Sequence, residues 1–239
     1  MKKELPLHSA RIISITQPVP EIIEELGINS PEGLTAYITR VSNPSNQNNE
    51  NIGGLLNYCC KHGHWSILEH VYMTVEIYTT RDISAQICRH RSFTFQEFSQ
   101  RYATTDGFYE PYEIPELRFQ DKKNRQKSIP VEKHGLSPIE YELYKESQKQ
   151  IEDSLDSIYS LYLNLLEQGV AKECARRILP MSSKTKLYMT GNIRSFIFYI
   201  KARDSIDGKS QVEHQKVADS IREIFKMQFP IIYKALFKV

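Results

Sequence analysis

The chain has 239 residues, of which 40% are hydrophobic and 25% charged, enough for a full buried core in one domain over 1–239. Lys and Arg number 31 against 29 Asp and Glu, a net charge of +2, which excludes a global field for gripping nucleic acid and makes any anion site local. Four cysteines (Cys59, Cys60, Cys88 and Cys174) fit neither a C-x-x-C metal pattern nor a secreted disulfide framework, so reduced thiols in a cytoplasmic setting are expected.

The start, MKKELPLHSARIISITQPVP, lacks a signal-peptide core, and no apolar run is long enough to cross a bilayer, so no membrane partner is expected. Arg11–Thr16 is a β-branched run closed by Pro18 and Pro20 and predicts a first strand. Ser30-Pro31-Glu32-Gly33 starts a helix, with serine at the cap and proline at the first position. A polar linker, NPSNQNNEN, follows, and Leu55–Lys61 predicts a helix ending near Gly63. Val71–Thr79 alternates as a strand. Asp82 or Ser84 starts another helix, which would carry Ile83, Ile87 and Cys88 toward the core and place Gln86 and Arg89, three apart, on one face. If it continues, His90 joins them.

From 104 to 136 the chain is polar and broken by Pro111, Pro115 and Pro130, a long surface excursion. Ser137-Pro138-Ile139-Glu140 is a capping box. The amphipathic helix behind it, over 137–168, is expected to be mostly core and partly subunit interface. Short helices near Glu173–Ile178 and after Pro230, helices over Asn192–Lys201 and Lys209–Met227, and a strand at Leu187–Thr190 complete the reading. Few strands separated by helices give an α+β (or α/β) fold, a mixed sheet wrapped by helices.

The densest chemistry lies in RHRSFTFQEFSQRY, which gathers Arg89, His90, Arg91, Glu97, Ser99 and Arg101 among Phe93, Phe95, Phe98 and Tyr102. Arginines give two-point recognition of phosphate and carboxylate, and aromatics give flat surfaces for rings. The segment suits an anionic, ring-bearing ligand such as a nucleotide. His62, His64 and His70 offer zinc-type nitrogens but lack the H-E-x-x-H register, so no metal is expected, and His64 with Trp65 could instead face a ring-shaped ligand. Cys88 beside Arg89 could be an activated thiolate, but a buried small hydrophobe is the stronger reading. Ser99 has no G-x-S-x-G context, and His90 has no evident partner acid, so a ligand-contacting hydroxyl is favoured over a nucleophile. A non-catalytic nucleotide- or RNA-binding module built on the same arginines is the competing reading.

RHR, seven residues and then serine resembles the signature of the flavin-dependent thymidylate synthases. Further blocks follow the same family order: KHGHWSILEH, ECARRILP, GNIRSF, KAR and SQVEHQ. The resemblance implies reductive methylation of dUMP to dTMP, with 5,10-methylenetetrahydrofolate giving the carbon and FAD, reduced by NADPH, giving the hydride. It implies no cysteine nucleophile, an α/β fold peculiar to the family, and a homotetramer with active sites between subunits. Carried over residue by residue, Gln86, Arg89, Glu97, Ser99, Gln100, Arg101, Arg176 and Arg203 fall to dUMP. Ser66, Arg89, His90, Arg91, Glu97, Asn192, Arg194 and Phe198 fall to FAD. His64 would flank the stacked rings, and Arg203 would stabilise negative charge on the uracil, which makes C5 more electron-rich. With Ser99, these two form the expected catalytic set. The sequence departs from the family pattern at Gln100, where many relatives carry glycine, and at Phe198, where some carry a flavin-contacting asparagine. Thr94-Phe95-Gln96-Glu97 stands where a Ser-x-Asn-Glu segment is expected, and the stretch after Arg203 aligns loosely.

Overall fold

The computed structural model describes residues 5–104, 110–206 and 210–237. In chain order these residues form β1 (Ser9–Ile15), α1 (Pro20–Leu26), α2 (Pro31–Thr39), α3 (Ile52–Lys61), β2 (Tyr72–Thr80), α4 (Arg81–Ile87), β3 (Thr94–Glu97), β4 (Arg118–Gln120), β5 (Ser128–Pro130), α5 (Pro138–Glu167), α6 (Lys172–Ala175), β6 (Lys184–Asn192), α7 (Ile193–Arg203), α8 (Val212–Gln228) and α9 (Pro230–Leu236). This is the expected mixed α and β architecture, with a small antiparallel sheet among helices.

Four strands pair in the order β1-β2-β6-β3, and every pairing is antiparallel. Side chains alternate between the faces of a strand, so Met73, Val75 and Ile77 of β2 share one face with Leu187 and Met189 of β6, all buried. Phe196, Ile200, Ile221 and Phe225 of α7 and α8 belong to the same core. The opposite face is polar and aromatic. There Glu76, although buried, receives the Tyr188 hydroxyl at 2.8 Å and the Arg11 guanidinium at 2.9 Å. Burial alone would raise its carboxyl pKa, but these partners and Lys186 outweigh burial and lower it.

β3 lies inside the arginine motif. Among the described residues it pairs with β6 alone, and the Phe93 ring just before it lies against Gly191, where an added Cβ would stand 2.5 Å from the ring. The bare glycine lets the motif lie flat on the sheet. Gly191→Ala is expected to cost about 1–3 kcal/mol by overpacking and to lift the motif off the sheet. Thermal unfolding and dUMP affinity measured together check this.

Several sequence expectations are corrected. Pro20 opens α1 rather than closing a strand, because proline suits the first helical position. α3 begins at Ile52 rather than Leu55, capped by Asn51, the last residue of the expected linker. α4 stops at Ile87, so Cys88 leaves the apolar face and is exposed rather than buried. β6 spans nine residues rather than four. The excursion contains the β4–β5 pair and the buried Val131, while 105–109 lie outside the described residues. α5 has the expected capping box, but only Leu155 and Tyr162 on it are buried, so in the single chain it is mostly surface rather than core. The predicted start of α8 at Lys209 lies outside the described residues.

Candidate active site

Two structural joints collect the predicted residues. The first is α4. From its first turn, Arg81 Nη1 and Ser84 Oγ reach Glu97 Oε1 at 2.9 and 2.7 Å, and Thr185 of β6 adds a third contact at 3.0 Å. One carboxylate oxygen thus takes three donors, which fixes Glu97 at the end of β3. Directly after it, Ser99 caps a turn: its Oγ accepts from Arg101 N at 3.4 Å and its carbonyl accepts from Tyr102 and Ala103. Arg101 pairs loosely with Glu173 at 3.4 Å, three residues from Arg176, whose side chain makes no hydrogen bond or ion pair among the described residues. Gln100 is buried, and its Nε2 has no hydrogen-bond partner among the described residues. A buried amide donor of this kind favours a ligand acceptor.

The second joint is the last turn of α7. Arg203 Nε donates to His90 Nε2 at 3.0 Å. A ring nitrogen that accepts must be bare, so His90 carries its proton on Nδ1. Burial first, and the Arg203 charge second, push the His90 pKa down. Among the described residues no carboxylate pairs with Arg203, and neither of its Nη groups makes a hydrogen bond. Beneath it lies His214 of α8, fully buried, with Nε2 3.1 Å from the Tyr199 hydroxyl and Nδ1 3.3 Å from Gln86 Oε1. Gln86 Nε2 donates onward to Gln211 Oε1 at 2.9 Å. Gln211 in turn lines a cleft of about 630 Å³ with Arg118, Arg125 and Lys127 of the excursion.

The residues expected on the flavin side gather at the other end of α7. Asn192 caps the helix by accepting from Ser195 N at 2.9 Å. Arg194 pairs with Glu69 and lies 5.8 Å from the Phe198 ring centroid. Phe198 is exposed and packs 5.1 Å from Trp65, the neighbour of Ser66. This is a cationic, aromatic ledge open to a flat ligand. Arg89 and Arg91 are exposed and make no ion pair among the described residues. Free guanidiniums, the ledge and the exposed Ser66 form a donor set that fits FAD. His64 is exposed and stacks edge-on 5.8 Å from Tyr58. No group of His, Cys, Asp or Glu among the described residues could hold a metal ion.

Sequence reasoning missed Tyr199, Gln211 and His214. The available signal was spacing: Tyr199 and Arg203 are four apart on one helix, and Gln211 and His214 are three apart. Burial holds His214 neutral, with help from the Arg203 charge, and its pKa falls to about 3. The unfolded chain binds that proton near pH 6.5 and the folded chain does not, so stability is full above about 6.5 and falls as the pH drops toward about 3. Urea unfolding at pH 7 and pH 5 should show the wild type losing up to about 1.4 kcal/mol per pH unit from this ring, and a His214→Leu variant losing less.

Comparison with known proteins places the chain in a family. The family described as thymidylate synthase complementing protein matches residues 22–231. A probable flavin-dependent thymidylate synthase of Paramecium bursaria Chlorella virus 1 is 48% identical over 233 residues, 95% of this chain and 98% of the relative. A flavin-dependent thymidylate synthase of Synechocystis sp. is 45% identical over 226 residues, with 95% and 98% covered. The fold is similar to the crystal structure of a UMP/dUMP methylase PolB from Streptomyces cacaoi bound with 5-Br dUMP. The TM-score is 0.72 at 22% identity, with 95% of this chain and 93% of that one covered.

Proposed function

The chain belongs to the thymidylate synthase complementing protein family, the flavin-dependent thymidylate synthases, and from that premise we propose that it converts dUMP to dTMP with 5,10-methylenetetrahydrofolate as carbon donor and NADPH as reductant of FAD. The observation that carries this reading is Arg203. Its guanidinium is anchored by Nε to a neutral imidazole and answers to no carboxylate among the described residues. A two-point cation fixed in a half-buried place favours a base that becomes anionic as it reacts. With Arg203 raising the electron density at C5 of the pyrimidine, attack on the carbon donor needs no thiolate. Cys88 agrees: although the residue is exposed overall, partial desolvation of its thiol raises the pKa rather than lowering it, and nearby Glu97 adds to the effect.

FAD, when bound, supplies the hydride chemistry. Arg194, Phe198, Asn192 and Ser66 would hold it at the ledge, with Arg89, His90 and Arg91 beside it and Glu97 at the junction with dUMP. Ser99, the Gln100 region, Arg101 and Arg176 are positioned for the phosphate, while Gln86 and Arg203 are positioned for the base. Within one chain the phosphate group and the base group form separate hydrogen-bonded clusters, which supports sites completed between subunits of a homotetramer. His64 is assigned to the edge of the ring stack.

The test is an NADPH-driven assay of dUMP and methylenetetrahydrofolate with the purified yellow protein. dTMP should form, the flavin should bleach on adding NADPH, and Cys88→Ala should stay active. A protein that binds dUMP tightly but forms no dTMP under these conditions would instead be a nucleotide-binding module.

A further inference from the structure

The buried network behind Arg203 runs in one direction. Gln86 Nε2 donates to Gln211, so the Gln86 oxygen faces His214. An amide oxygen only accepts, hence His214 carries its proton on Nδ1. Its Nε2 is then bare and accepts from Tyr199, a hydroxyl that burial keeps protonated. Every polar atom of the His214 ring is used, inside a core where no water-exposed alternative exists. The order is therefore Tyr199 to His214 to Gln86 to Gln211.

An amide side chain has two orientations that differ only by exchange of its oxygen and nitrogen, and its neighbours decide between them. Gln86 is half-buried. One of its two oxygen lone pairs and one of its two N–H groups are engaged in this network. One acceptor and one donor remain, side by side, which complements the C=O and N–H of a pyrimidine imide. Reversing the amide would exchange these positions and present the wrong pattern.

We propose that His214 is a positioning residue which, through its Nδ1–H bond, fixes the orientation of the Gln86 amide and so makes the site prefer a uracil edge over a cytosine edge. This rests on Gln86 lying on the base side of the site. A fully buried histidine contributes least to stability where an apolar residue could pack, and here both of its ring nitrogens are used to aim another side chain. The neutral state needed for the arrangement is the one that burial and the Arg203 charge impose.

The experiment titrates FAD-loaded protein with dUMP and with dCMP, whose exocyclic amine replaces the uracil O4. Three variants are compared with wild type: His214→Leu removes both ring contacts, His214→Asn keeps an N–H near the Nδ1 position, and Tyr199→Phe removes only the hydroxyl. The expected result is about tenfold weaker dUMP binding in the leucine variant with loss of the preference for dUMP over dCMP, substantial recovery in the asparagine variant, and a smaller change in the phenylalanine variant. Flavin content should stay at the wild-type level throughout. Should the leucine variant not fold, the phenylalanine and asparagine variants carry the comparison. Unchanged preference in the leucine variant (or, should it not fold, in the phenylalanine variant), or equal losses in the leucine and asparagine variants, overturns the proposal, because simple packing would then explain the residue. Turnover of dUMP by wild type is scored separately: its absence counts against the proposed reaction, while the dUMP and dCMP titration still decides the role of His214.

Discussion

Arg203→Ala should abolish dTMP formation, lowering kcat by about 10²–10³-fold or more, as removal of a fixed electrostatic donor does elsewhere. The residue is held once through its side chain and twice through its backbone. Nε is tied to His90, its carbonyl accepts the Ser210 hydroxyl at 2.7 Å, and the next residue, Asp204, is locked in the core. The Nη pair is therefore presented in one geometry rather than searched for, and little reorganisation is left for the moment of reaction. Lysine keeps the charge but loses the planar fork and the Nε–H that reaches His90, so Arg203→Lys should retain only a small fraction of the rate. Flavin absorbance should be unchanged in both variants, since Arg203 lies at the end of α7 away from the Asn192–Arg194–Phe198 ledge. An alanine variant that keeps a tenth of wild-type turnover would remove Arg203 from the mechanism.

The second large effect is on stability. Arg222 Nη1 meets Asp204 Oδ2 at 3.0 Å, with the two side chains 5% and 0% exposed. Its Nε reaches the Tyr233 hydroxyl at 3.0 Å, and its guanidinium lies 5.6 and 5.4 Å from the Tyr233 and Phe237 ring centroids. Removing one member of a buried pair leaves a desolvated charge and costs about 3–5 kcal/mol. At about 2–4 °C per kcal/mol for a chain of this size, Arg222→Leu should lower Tm by about 6–20 °C. The double change Arg222→Leu with Asp204→Leu should recover much of that, because no unpaired charge remains. Calorimetry of both single variants and the double variant measures the coupling. Activity of Arg222→Leu should fall as well, because Asp204 adjoins Arg203.

The sequence displayed some parts of this architecture openly. Strict alternation made β2 visible, and serine, proline and glutamate at fixed offsets announced the start of α5. The hidden parts have physical reasons. β6 begins with Lys184, Thr185 and Lys186, polar residues buried or half-buried by tertiary partners, so no alternation marked its first half. β3 is four residues long within an arginine- and aromatic-rich run whose chemistry masked its backbone. Cys88 was misplaced because nothing in the local pattern signals that α4 ends at Ile87. For the site, the block order pointed to Arg203, Glu97 and Arg194, but not to what holds them. The Arg203–His90 bond joins residues 113 apart and the Gln86–His214 contact residues 128 apart, and such pairings exist only after folding.

α4 has a mechanical consequence. Seven helical residues span about 10 Å and do not stretch. One end of this strut grips Glu97 through Arg81 and Ser84, and the other carries Gln86 into the His214 network. Thr185 of β6 also holds Glu97, so the strut is footed in the sheet itself, and it sets Gln86 and Glu97 at a fixed separation that a ligand reaching both must match.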